Sequence, residues 1–213
     1  MFARLTALVG SSSSLSFELG EAKEGCWGIW THHHGTWRAD QSPVSVFRTA
    51  STSKLDAKLA AARNGIKRLR MLRHPDILAF KDTAEAEEKG ETVLYLVTER
   101  MTLLPVFLEG ADAAEREAWV SLGLQRVLSA LSFLNRDCSL MHGRVCMDSI
   151  AVTEQGDWKL AALELVTEAG GGPDPLQAPL RAASWLTPQA HQPGELAKGD
   201  WEAVWQSPPH AVD

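Results

Sequence analysis

Apolar residues recur at intervals of three and four over residues 54–72, where Leu55, Leu59, Ala62, Ile66 and Leu69 share one helical face. Gly65 interrupts that face at a cost in helix propensity, and Arg73-His74-Pro75 ends it, because proline cannot continue a helix. A longer helix is predicted over 113–135, with Trp119, Leu122, Val127, Leu128, Leu131 and Leu134 mostly on one side. A short helix is expected over 103–108. Period-two or continuously apolar runs predict strands at 26–31, 43–49, 77–81, 92–98, 150–153 and 158–160. His32-His33-His34-Gly35-Thr36 reads as a turn between the first two strands. Glu85-Ala86-Glu87-Glu88-Lys89-Gly90 reads as an exposed loop, and Glu154-Gln155-Gly156-Asp157 as a tight turn. Beyond Gly170 the chain is rich in Pro, Gly and Ala and shows little periodicity. The pattern is therefore α+β: a strand-rich half with one helix, then a helical half, with a hinge near residues 99–102. No internal repeat is visible.

Composition narrows the function classes. The 213 residues are 45% hydrophobic and 23% charged, ordinary values for a globular protein. A formal net charge of −6 argues against nucleic acid as the main partner. One segment runs the other way: between residues 54 and 73 stand Lys54, Lys58, Arg63, Lys67, Arg68, Arg70 and Arg73 against Asp56 alone. A solvated helix face is the favoured reading, and a docking surface for an acidic partner or membrane the sharper one. Cys26, Cys138 and Cys146 are too few to form a disulfide framework and fit a reducing compartment. No apolar run reaches the length of a membrane span. Residues 1–14 contain no acidic residue and are rich in Ser, and are read as an N-terminal arm.

Several motifs, in order and at consistent spacing, resemble the protein-kinase fold. Leu72-Arg73-His74-Pro75-Asp76-Ile77-Leu78 resembles the junction after the C-helix. Leu94-Tyr95-Leu96-Val97-Thr98-Glu99 resembles the fifth strand entering the hinge, with Thr98 as gatekeeper. The 113–135 helix followed by Leu140-Met141-His142 resembles the E-helix and catalytic loop, and Trp158-Lys159-Leu160-Ala161 the strand before the metal-binding Asp-Phe-Gly. Asn64-Gly65-Ile66-Lys67-Arg68-Leu69, Ser132-Phe133-Leu134-Asn135-Arg136-Asp137-Cys138 and His142-Gly143-Arg144-Val145-Cys146 are similar to the SCY-like (N-terminal-kinase-like) pseudokinases. Ser207-Pro208-Pro209-His210-Ala211-Val212-Asp213 resembles the entry to the F-helix, with Asp213 as its anchoring aspartate.

The resemblance implies a two-lobed, protein-kinase-like fold: an arm over 1–24, an N-lobe over 25–101 and a partial C-lobe over 102–213, stopping before the F-helix. On that expectation the chain is a fragment lacking the family's helical repeats, is aggregation-prone alone, and is least ordered over 169–213. Phosphoryl transfer needs a third-strand Lys paired to a C-helix Glu, a catalytic Asp, and an Asn and Asp on magnesium. Aligned to those five positions stand Phe47, Gly65, Arg144, Ser149 and Ala162. A guanidinium accepts no proton, and no Asp stands between residues 143 and 147 or between 158 and 169. The expectation is a catalytically dead module with no cofactor and no metal site. Family resemblance implies a cytoplasmic scaffold in vesicle trafficking, peripheral to Golgi or endosomal membranes and bound to coat proteins. Two alternatives stay open. One is a weakly active Ser/Thr kinase using Arg38 or Arg48 for the lysine and Glu164 for a metal. The other is a non-catalytic ATP-binding domain in which the hinge residues Thr98, Glu99 and Met101 hold adenine. His32-His33-His34 are expected to be solvated, His142 to be a packing residue, Cys138 and Cys146 to be buried, and Trp201 and Trp205 to pack or to form a patch.

Overall fold

The computed structural model describes residues 15–23, 28–169 and 213. The expectations placed on 1–14, on Cys26, on Trp201 and Trp205 and on the order of 170–212 lie outside the described residues. The rest is a mixed α+β structure with antiparallel sheets.

Five strands form the main sheet: β1 (Phe17–Ala22), β2 (Thr31–Trp37), β3 (Pro43–Ser51), β4 (Phe80–Glu88) and β5 (Glu91–Glu99), in spatial order β1-β2-β3-β5-β4. Alternation along β3 and β5 divides their side chains between two cores. Val44, Val46, Val93, Tyr95 and Val97 pack with Phe17 in one, and Phe47, Leu94 and Leu96 face the other. The sheet curls far enough for Ser16 Oγ, next to β1, to donate to the Asp82 carboxylate on β4. Helix α1 (Ala57–Met71) lies on the second face through Leu59, Ala62, Ile66 and Leu69. Its start is set by Asp56, whose carboxylate accepts the Lys58 N–H at 2.8 Å.

Strand β6 (Met101–Leu103) leads into α2 (Leu104–Gly110), where Pro105 suits the first turn. Helix α3 (Ala113–Ser132) begins at the Asp112 cap and widens into a π-turn over Phe133–Asp137. Strands β8 (Ile150–Thr153) and β9 (Trp158–Leu160) form a hairpin, and β6 pairs with β8. Short strands β7 (Leu140–Met141) and β10 (Thr167–Glu168) pair with each other. Glycine sets how closely α3 approaches the hairpin: a Cβ on Gly123 would lie 2.0 Å from the Trp158 ring.

The sheet and the α3 half meet through the loop after α1. Leu78 N–H donates to Leu160 O, and Leu160 N–H donates to Asp76 O. The buried Asp76 carboxylate takes Arg126 Nη1 from α3 at 3.1 Å. His74 stacks on Phe133, and Lys159 Nζ donates to Pro75 O.

Several sequence expectations are corrected. The strand expected over 26–31 is not formed at residues 28–30, and the histidine run is not a turn but the body of β2, paired residue for residue with β3. The acidic stretch 85–88 is not a loop but half of β4, with Lys89-Gly90 as the turn to β5. Residue 77 makes only an isolated bridge to Leu160, and regular strand starts at Phe80. On α3, Val127, Leu131 and Leu134 are buried, but Leu122 and Leu128 are exposed by 60% and 64%, so the apolar stripe is narrower than its periodicity suggests.

Candidate functional site

The residues aligned to kinase chemistry converge where the main sheet, α1 and the loop after β9 meet. Phe47, expected at the lysine position, lies on β3, is fully buried and stacks on His32 of β2, ring centroids 4.9 Å apart. Gly65, expected at the glutamate position, lies on α1 and faces Glu164 from the 3-10 turn Leu163–Leu165. A Cβ on Gly65 would sit 3.2–3.3 Å from Glu164 Cγ, N and Oε1, tighter than ordinary van der Waals contact. The absence of a side chain at 65 is thus what lets the residue 163–165 turn dock on α1.

Glu164 is 5% exposed, and its Oε1 accepts the Trp30 indole N–H at 2.6 Å. Asn64, beside Gly65, clamps the same turn by donating from Nδ2 to the carbonyls of Glu164 and Val166. Residues 28–30 reach into this space from the loop between β1 and β2. Ile29 and Trp30 belong to the main core, and a Cβ on Gly28 would lie 3.2 Å from Arg144 Nη1. Ile29, Trp30, Phe47 and Glu164 are all buried where β2, β3, residues 142–146 and the 163–165 turn come together.

Arg144, expected at the catalytic aspartate position, is 8% exposed, and its backbone N–H donates to His142 Nδ1. His142 Nε2 lies 2.8 Å from Ala161 O. Since Nδ1 accepts and a carbonyl can only accept, the ring is neutral with its proton on Nε2. Burial pushes its pKa down, against the Asp213 charge that would raise it. Ser149, expected at the asparagine position, closes a local cap: its Oγ accepts Cys146 N–H and donates to Cys146 O. Ala162, expected at the position of the metal-binding aspartate, is buried in the left-handed region at φ 58°. Asp213 accepts the backbone N–H groups of His142 and Gly143 at 2.7 and 2.6 Å, and the Asn135 amide at 2.8 Å.

The hinge candidates are engaged internally. Thr98 Oγ1 donates to Glu99 O, and the Glu99 N–H and carboxylate are both bound to Ala79. Met101 N–H donates to Ser45 Oγ at 3.1 Å, and that oxygen is 3.0 Å from His32 Nε2. The Ser45 hydroxyl, which also has the Met101 carbonyl as an acceptor at 3.5 Å, thus links the hinge, β3 and β2. Burial first, then the neighbouring His34 and Arg100 charges, lower the His32 pKa from 6.5 to about 4. His34 Nδ1 in turn faces Arg100 Nη2 at 2.6 Å and is also shifted down.

Sequence reasoning missed Trp30, Ser45, Asn64 and the inward role of His32, which it expected to be solvated; His32 is 4% exposed. The one available signal was the alternation of His32 and His34 opposite Ser45 and Phe47. Cys138 and Cys146, expected to be buried, are half-buried free thiols. Among the described residues no three His, Cys, Asp or Glu side chains converge as a metal site. No described helix is long and apolar enough to cross a membrane.

No protein-family model matches the chain. Among curated proteins it is 36% identical over 205 residues to the probable inactive serine/threonine-protein kinase scy1 of Dictyostelium discoideum, covering 95% of this chain and 24% of that protein. It belongs to the SCY-like pseudokinase family. A second relative, 35% identical over 148 residues, is the mouse protein associating with the carboxyl-terminal domain of ezrin; the match covers 69% of this chain and 18% of that protein. A third is cytoplasmic export protein 1 of Saccharomyces cerevisiae, 25% identical over 143 residues, covering 67% of this chain and 18% of that protein. The chain spans about a quarter or less of the length of these relatives.

Proposed function

We propose that the chain is a catalytically inactive, two-lobed protein-kinase-like module that works as an interaction scaffold. The main sheet with α1 corresponds to an N-lobe, expected over 25–101 and extended by β1 (Phe17–Ala22) into the span expected as an arm, and the part from residue 102 onward to a C-lobe lacking the F-helix. One observation carries the inactivity: the Glu164 side chain occupies the space beside Gly65 and is held there by Trp30. A lysine–glutamate pair and a magnesium site would need that same volume. Phe47, Gly65, Arg144, Ser149 and Ala162 each lack the group that phosphoryl transfer uses at their position. Glu164 is the remaining candidate for a relocated metal ligand, but its carboxylate is already bonded to an indole and buried.

Nucleotide binding without catalysis is the second reading. Internal hydrogen bonds to Thr98 Oγ1 and Ser45 Oγ compete with adenine for the Glu99 carbonyl and the Met101 amide. These bonds weigh against it. A role in vesicle traffic through coat proteins, at Golgi or endosomal membranes, follows from the family resemblance alone. Relatives named for association with ezrin and for cytoplasmic export support a partner-binding role of some kind.

A radiolabel transfer assay tests the inactive reading. With Mg-ATP and generic protein substrates, the full chain should incorporate no more label than a heat-inactivated sample. Transfer that is lost in Glu164→Ala would overturn the reading and establish a relocated metal site.

A further inference from the structure

The cationic stretch on α1 is not uniformly solvated, and its ion pairs divide it in two. In the N-terminal half, Lys54 pairs with Glu87 and Arg63 with Glu85, both on β4. In the C-terminal half, Lys67, Arg70 and Arg73 are exposed and, like the half-buried Lys58 before them, make no ion pair among the described residues. Basic residues in a last turn favour the helix dipole, which accounts for Arg70. It does not account for Arg73, which lies beyond the Leu72 cap, nor for Met71, which is 66% exposed. Lys67, Arg70 and Met71 are three and four residues apart and share one face.

That face borders a shallow, open groove of about 350 Å³ formed by residues 72–75 and 77–79, in which Leu72, Pro75 and Ala79 supply the accessible apolar surface over the buried Ile77 and Leu78. Of the acidic groups nearby, Asp76 is paired with Arg126, and the Glu99 carboxylate accepts the Ala79 N–H. A chain with a net charge of −6 thus presents a small, partly apolar groove next to three exposed cations that make no ion pair among the described residues.

We propose that this face docks an acidic peptide segment of a protein partner, with one or two apolar side chains in the groove and carboxylates against Lys67, Arg70 and Arg73. Charge complementarity selects the partner and steers its approach, and the groove sets the register. The proposal goes beyond the inactive reading and does not depend on it, since a phosphotransferase could carry the same face.

The test is fluorescence anisotropy of the full chain with a labelled dodecapeptide of Glu and Asp around a central Leu-Phe pair, at 0.15 M salt. Three rim charges, each worth a modest surface pair, together predict about a tenfold weaker Kd for Lys67→Ser/Arg70→Ser/Arg73→Ser. Lys54→Ser/Lys58→Ser should stay within about twofold, because that half is paired or remote. Replacing the Leu-Phe pair by Ala-Ala should weaken binding about fivefold or more. All substituted side chains lie on α1, just before it or just after it, and matching thermal melts verify folding. Absence of saturable binding overturns the proposal, as does equal weakening by the Lys54/Lys58 variant. Displacement of the peptide by phosphatidylserine vesicles that bind more tightly than it does would overturn it in favour of a membrane surface.

Discussion

Restoring the glutamate that a kinase would carry at position 65 should damage this protein. Gly65→Ala adds one Cβ 3.2–3.3 Å from three Glu164 atoms, a contact relieved by shifts of a few tenths of an ångström. That overpacking costs about 1 kcal/mol, while exchanging Gly for Ala inside a helix returns about 1 kcal/mol. The net change should be within about 1 kcal/mol of zero. Gly65→Glu also forces a second carboxylate against Glu164, which is 5% exposed. Overpacking of about 1–3 kcal/mol then adds to the burial of an uncompensated charge, which costs about 3–5 kcal/mol, so a loss of at least about 3 kcal/mol is expected. For a chain of this size that lowers Tm by roughly 6–12 °C. Urea denaturation of the full chain, followed by tryptophan fluorescence, measures both variants. Adding Glu164→Ala should recover most of the loss in the Gly65→Glu background. Unchanged stability of Gly65→Glu would refute the packing of the 163–165 turn on α1.

Two further outcomes follow from the same geometry. His32 has a folded pKa of about 4 against 6.5 when unfolded, so between those values the unfolded chain binds the extra proton. Stability is therefore full above pH 6.5 and falls as pH drops toward 4, by up to about 3 kcal/mol; urea midpoints from pH 7.5 to 4.5 should show the decline, and a His32→Asn variant that kept the same slope would contradict it. Gly123→Ala would put a Cβ 2.0–2.3 Å from three Trp158 ring atoms, so it should destabilise by about 2 kcal/mol or more despite the gain in helix propensity; a melt as high as the unsubstituted protein's would contradict the close approach of α3 to the β8–β9 hairpin.

What the sequence made legible follows from where apolar periodicity survives. Helix α1, α3 and strands β3, β5, β8 and β9 were readable because one face of each is core. Strand β4 was not, because it is a sheet edge whose exposed positions are Lys81, Glu85 and Glu87, and its charged composition imitates a loop. Strand β2 hid behind histidine. His32 turns inward to Ser45 and Phe47, a pairing that depends on a strand register no local pattern fixes. The identities of Phe47, Gly65, Arg144, Ser149 and Ala162, the residues expected at the kinase positions, were visible in the sequence. The compensation among them was not, since Trp30 and Glu164 are 134 residues apart in sequence and meet only in the fold.

The central claim is that the chain's own side chains fill the space in which a kinase holds nucleotide. Thermal melting with and without millimolar Mg-ATP, using Mg-AMP as the control, tests it most directly. A ligand at a hundred times its Kd adds about 2.7 kcal/mol, roughly 5–11 °C in a protein of this size. The account predicts that the Mg-ATP and Mg-AMP melts coincide with the nucleotide-free one. A clear upward shift with Mg-ATP that is absent with Mg-AMP would mean that phosphates are being held, and would contradict it.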